Sequence, residues 1–175
     1  MTLCCYAVGA IAEVDAESMT RAVGMFTGLE HTLEFVREVD GVRYVNDSKA
    51  TNVIAARKAI ECFGSGLVVI LGGRFKGGSF EELCPALVDR KAFVIAIGEA
   101  SSKIRKSLTP TIDVRDAKTL SQAVEIAATL ARKGGTVLLA PACASLDMFR
   151  NYAERGEEFK QAVQMLAERS NFEGE

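Results

Sequence analysis

The 175-residue chain has no tryptophan, one histidine (His31) and three prolines. Aromatic residues are only 7% of the chain and the net charge is −2. It therefore has neither the stacking platforms nor the global basic field that nucleic-acid binding uses. Residues 1–12 are apolar, but the run is too short and too interrupted to cross a bilayer. No Lys or Arg precedes Arg21, so the basic region of a secretory signal is missing. The expectation is a buried helix in a cytoplasmic protein. The five cysteines (Cys4, Cys5, Cys62, Cys84 and Cys143) are odd in number and lack metal-ligand spacing. They read as buried thiols in a reducing compartment. Two phosphate-binding signatures are also missing: no G-x-x-x-x-G-K-[ST] loop and no G-x-G-x-x-G fingerprint occurs anywhere.

What is present is ordinary globular composition, 49% hydrophobic and 25% charged, in a length that supplies one α/β core. Leu3, Tyr6, Ala7 and Ala10 share a helical face, and Ala16 to Met25 repeats the pattern. From His31 the period changes. Leu33 to Val39 alternates, Asp40-Gly41 signals a hairpin turn, and Arg43 to Asn46 returns as a second strand. A helix is expected over Asn52 to Cys62, with Gly64 as its C-cap. Leu67 to Leu71 reads as a buried parallel strand. A helix over Phe80 to Leu87, a strand over Phe93 to Ile97, a short helix over Ser101 to Ser107 and a weaker strand over Thr111 to Val114 come next. Asp116 is the expected cap of a helix carrying Leu120, Ala123, Val124, Ala127 and Leu130, stopped by Gly134-Gly135. Thr136 to Ala140 is the last strand and Glu154 to Leu166 the last helix. Alternating strands and helices imply a Rossmann-like α/β fold. Its sheet is mostly parallel, with one antiparallel strand from the leading hairpin and helices on both faces.

Three segments place polar chemistry after apolar strands: Asn46–Asn52, Gly72–Gly78 and Pro141–Asp147. Strand carboxyl ends share one edge of such a sheet, where ligands bind. Lys49 stands at a helix start, where the dipole opposes a cation unless an anion is close. Lys76, flanked by glycines, can approach a carboxylate. Ser145 and the amides after it are expected to open a helix and donate to an anion. Cys143 is read as a buried thiol, because the only histidine is remote in sequence, and His31 as a structural hydrogen-bonding residue.

Several stretches together resemble the C-terminal domain of a Mur ligase. They are Val45 to Asn52, Gly72-Gly73 with Lys76-Gly77, Leu139 to Phe149, and Asn151, Arg155-Gly156 and Phe159. The chain is most similar to the branch that joins D-glutamate to UDP-N-acetylmuramoyl-L-alanine. The resemblance implies a helical remnant of a central ATPase domain and linker over residues 1–30, and the amino-acid-binding domain over residues 31–175. It implies that Thr51, Lys76, Ser145 and Leu146 hold D-glutamate, with Tyr152 lining the pocket. Asn46, Asp47 and Lys49 would face ATP, and Mg would be held mainly by domains absent from this chain. UDP-N-acetylmuramoyl-L-alanine would be bound through those same domains. The family has Arg after its linker His, and here that place is Thr32. Without a phosphate loop the chain alone is expected to be inactive. The alternatives are a non-catalytic amino-acid- or nucleotide-binding module and a dinucleotide-binding Rossmann domain.

Overall fold

The computed structural model describes residues 2–26 and 28–173. The sheet has the order β1-β2-β6-β3-β4-β5. Its strands are β1 (Glu34–Val39), β2 (Val42–Asn46), β3 (Leu67–Gly72), β4 (Phe93–Ile97), β5 (Val114–Asp116) and β6 (Thr136–Leu139). β1 pairs antiparallel with β2, and the other four pairings are parallel. The helices are α1 (Thr2–Ile11), α2 (Ala16–Met25), α3 (Val53–Glu61), α4 (Cys84–Asp89), α5 (Ser101–Leu108), α6 (Leu120–Leu130) and α7 (Tyr152–Glu173).

The period-2 alternation of the strands divides the core into two layers. Leu67, Val69 and Leu71 of β3 join Val94, Ala96 and Leu138 under α3, α4 and α5. Val68 and Ile70 join Ile95, Ile97, Val137 and Leu139 under α6 and α7. Adjacent strands β3 and β6 therefore send their following helices, α4 and α7, to opposite faces. That divergence makes the carboxyl edge between them the switch point of a doubly wound sheet, where ligands of such folds bind.

The fold matches the reading from sequence, with local corrections. The Phe80–Leu87 segment is a 3-10 turn (Phe80–Leu83) followed by α4, because Pro85 enters at the start of α4, where a missing N–H is tolerated. The weak strand is Val114–Asp116 rather than Thr111 to Val114, so Asp116 ends β5. The cap of α6 is Thr119, whose hydroxyl accepts from the Gln122 N–H. α3 ends on Cys62, not Gly64, and the left-handed turn into β3 uses Gly66. α6 stops at Leu130, before the glycine pair.

Two burial expectations fail. α1 forms but is not buried: Val8 and Ile11 are exposed, Ile11 at 84%. It packs on α2, with Gly9 against Met19 and the Tyr6 hydroxyl on Thr20. Of the cysteines only Cys143 is buried; Cys84 is half-buried, and Cys4, Cys5 and Cys62 are exposed free thiols. No described helix is long and apolar enough to cross a membrane.

Candidate functional site

The loops after β2, β3 and β6 meet. Because β6 lies between β2 and β3, its loop bridges the other two. The Ala142 N–H donates to the Ala50 carbonyl at 2.9 Å. Arg74 and Ala144 exchange both backbone bonds, at 2.8 and 3.0 Å, and the Gly72 N–H donates to Pro141 at 2.8 Å. The approach requires glycine. At φ +137, a Cβ on Gly72 would stand 1.9 Å from the Ile97 carbonyl oxygen. One on Gly73 would stand 2.2 Å from that of Ala144.

Each expected site residue has a place at this edge. Asn46 is fully buried and its amide is fully used. Nδ2 donates to His31 Nδ1 and to Glu34 Oε2, both at 3.0 Å, and Oδ1 accepts from the Ser48 N–H. Asp47 is buried, and its Oδ1 accepts from the Leu33 N–H at 3.1 Å. Burial pushes this carboxyl above the usual range, and the Leu33 bond partly restores it. Asp47 does not cap α3; Asn52 does, accepting from the Ala55 N–H. Lys49 and Lys76 are exposed, and neither forms an ion pair among the described residues. Thr51 is half-buried beside Lys49. The aromatic contact of Phe75 with Phe80, 4.6 Å between centroids, pins the loop that carries Lys76.

Ser145 is buried at this edge, but no helix opens there. Residues 146–148 form a turn in which the Ser145 carbonyl accepts from Met148 and Phe149, and α7 begins only at Tyr152. The helix expected at Ser145 is thus displaced by a turn. Leu146, 58% exposed, and Tyr152 form an apolar rim. Asp147 accepts from the Glu99 N–H through Oδ2, while its buried Oδ1 has no partner among the described residues. The Cys143 thiol is pushed up to about 12 by burial, so it is not a thiolate nucleophile near neutral pH. Thr32 keeps a buried hydroxyl without a hydrogen-bond partner among the described residues.

The residue that sequence reasoning left without a role is Arg155. Its guanidinium lies among the three loops, fully buried. A signal existed: Arg155 is four residues before the buried Phe159, on the inward face of α7, and within a first turn where the dipole disfavours a cation.

Two other features compete for attention. A concavity of about 860 Å³ lies beside β5, away from the three loops. The cations lining it are already paired, Arg105 with Asp116 and Arg115 with Asp113. Glu30, His31 and Glu157 converge as metal ligands would, but Lys160 holds that place, 2.6 Å from Glu157 and 2.7 Å from Glu30. Burial works against the Lys160 ammonium. Hydrogen bonds to Glu157 and Glu30 and the charge of Glu34 outweigh it and raise its pKa.

The architecture is therefore a doubly wound α/β domain whose switch-point edge carries two exposed lysines without an ion pair among the described residues, and a buried carboxylate. The family described as "Mur ligase, glutamate ligase domain" matches residues 33–143, and the chain belongs to the Mur ligase family as its C-terminal domain. It is 48% identical over 149 residues to the UDP-N-acetylmuramoylalanine–D-glutamate ligase of Geobacter sp. strain M21, covering 85% of this chain and 33% of that protein. Identity to the enzyme of that name from Chlorobaculum parvum is 41% over 156 residues, covering 89% and 33%. The chain thus spans about a third of the length of these relatives. The fold alone is shared with a MurF ligase from Thermotoga maritima solved in complex with ADP, TM-score 0.55 at 20% identity, covering 86% of this chain and 37% of that one. It is also shared with the bifunctional folylpolyglutamate synthase/dihydrofolate synthase of Yersinia pestis, TM-score 0.57 at 15% identity, covering 89% and 35%.

Proposed function

We propose that this chain is the amino-acid-binding domain of a cytoplasmic, ATP-dependent ligase of peptidoglycan synthesis that joins D-glutamate to UDP-N-acetylmuramoyl-L-alanine. The observation that supports the reading is the convergence, at one edge of the sheet, of the three loops that carry Lys76, Thr51 and Ser145, in a chain so similar to ligases of that name. D-Glutamate is a small diacid. Lys76 is the cation for its carboxylate, Thr51 and Ser145 supply hydroxyls, and Leu146 and Tyr152 shield the methylenes from water. A charge-assisted bond of this kind contributes about 1.5–3 kcal/mol.

On this reading ATP meets the loop after β2. Lys49 is free to neutralise phosphate, and the Asp47 carboxylate can accept from ribose hydroxyls. Asn46 acts at one remove, because its own polar atoms are fully engaged and its backbone neighbour is Asp47. ATP supplies the phosphoryl group that activates the acceptor carboxylate. This chain's share is to hold the amine donor and close over the nucleotide. Asp47 and Asp147, the carboxylates of the loops, are not part of a cluster of metal-ligating side chains among the described residues. Magnesium and the UDP-sugar acceptor are assigned to the remainder of a full-length ligase.

The test is Lys76→Ala in the complete ligase. The D-glutamate KM rises at least ~30-fold, from about 2 kcal/mol of lost binding, while the acceptor KM stays constant. An unchanged D-glutamate KM rejects the assignment. The isolated chain, having no phosphate loop, releases no phosphate above background from ATP, magnesium, D-glutamate and acceptor. Release abolished by Lys49→Ala would overturn that expectation.

A further inference from the structure

We infer that Arg155 is a positioning residue that holds the three site loops in register, partly through Ser48; the inference rests on reading those loops as one ligand site. The Arg155 side chain is 0% exposed and has no carboxylate within ion-pair distance among the described residues. Its donors go instead to oxygens of the loops. Nε–H donates to Ser48 Oγ at 2.9 Å, Nη2 to the Ser48 carbonyl at 2.8 Å, and Nη1 to the Cys143 carbonyl at 3.2 Å. Nη1 also stands 3.5 Å from the Gly72 carbonyl, a weaker contact. The Ser48 hydroxyl passes the link on, donating to the Tyr152 carbonyl at 2.7 Å. One rigid plane thus touches the loops after β2 and β6, the end of β3, and through Ser48 the start of α7.

The arrangement is not what stability alone would favour. Burial pulls the guanidinium down to about 10, while Cys143 and Asp147 push the other way. Replacing a buried ion by a well-packed apolar side chain is often neutral or stabilising, but here that would orphan the loop carbonyls. Lysine would keep the charge and lose the planar fork that reaches both loops at once.

Native-state hydrogen exchange on the 175-residue chain tests the role. In Arg155→Lys the amides of Arg74, Ala142 and Ala144, which join loop to loop, exchange at least about tenfold faster, equivalent to roughly 1.4 kcal/mol. The strand amides of Val69 and Ile95 keep their parent rates. Ser48→Ala, which leaves the Ser48 carbonyl in place, gives a smaller acceleration of the same amides. Uniform acceleration across strands and loops would make Arg155 a general stabiliser, and no acceleration would remove it from the loops; either result overturns the inference. Should Arg155→Lys fail to fold, the unsubstituted chain decides through its Arg155 Nε–H resonance. Slow exchange there supports the brace, and exchange as fast as that of the exposed Arg150 refutes it. Loosened loops with unaltered D-glutamate affinity would leave the brace standing and sink the ligand reading.

Discussion

The two edges of the sheet differ in how far they bury their polar side chains. At the amino edge the turns are closed by backbone bonds between glycine-rich segments: the Gly134 N–H donates to Gly41 at 2.7 Å, Gly66 to Arg90, and Arg43 to Gly135. At the carboxyl edge buried side chains, Asn46, Asp47, Ser48 and Arg155, add hydrogen bonds to the backbone bonds that join the loops. Each edge has an arginine brace. Arg90, half-buried, donates to the carbonyls of Glu61, Phe63 and Ala86, at the ends of α3 and α4, where the helix dipole favours a cation. Arg155 sits in the first turn of α7, fully buried, where both the dipole and desolvation oppose it. A feature that local physics favours needs no further cause. One that local physics opposes points to a geometry kept for another purpose, and the carboxyl edge is where that opposition collects.

The comparison breaks most visibly at glycine. Gly72→Ala drives a Cβ into the Ile97 backbone in a left-handed conformation, and is expected to cost about 3 kcal/mol or more from strain plus overpacking. Gly134→Ala at the amino edge has φ +82 but open space around it, so only the conformational penalty of about 1–2 kcal/mol remains. Urea denaturation of the two variants measures the difference. Equal losses would mean that the crowding at the carboxyl edge relaxes freely.

The cysteines sharpen it. Cys62, at the end of α3 near the amino edge, is exposed, while Cys143 is enclosed by the site loops. Moving a thiol from 9.0 to about 12 reduces its thiolate roughly a thousandfold at pH 8, before access is considered. A disulfide reagent on the native chain should modify Cys62 quickly and Cys143 only at the rate of loop opening or unfolding. Rapid labelling of Cys143 would show that the loops open on their own.

Much of this was legible beforehand. The hairpin, the apolar strands and the stripe of α6 are set by periodicity, which survives any detail of packing. The three loops could be placed on one edge because parallel strands force it. What escaped depended on partners distant in sequence. Thr119 and Asp116 are both good caps, and only the end of β5 decides between them. α1 has a buried helix's composition, yet exposure depends on what packs against it. Arg155 reads as a solvated helix charge until Ser48 and Cys143 are brought beside it.

The smallest expected effect is at Asp47, where stability and ligand binding should part. Its folded pKa is raised, mainly by burial. The sign follows from linkage: the protonated form is favoured in the folded state, so that contribution is full below the unfolded value of 3.8 and is lost as pH rises through the folded pKa. Once ionised, Asp47 is therefore a burden on folding. Asn at this position keeps an acceptor for the Leu33 N–H and carries no charge, and α3 retains its Asn52 cap. Asp47→Asn should leave the Tm at pH 7 unchanged or slightly raised, with the difference fading below about pH 4. If Asp47 reads the ribose, the same variant in the complete ligase raises the ATP KM. A Tm lowered by more than about 3 °C, near 1 kcal/mol for a chain of this size, with an unaltered ATP KM would make Asp47 part of the scaffold and return it to the side of the comparison that the amino edge occupies.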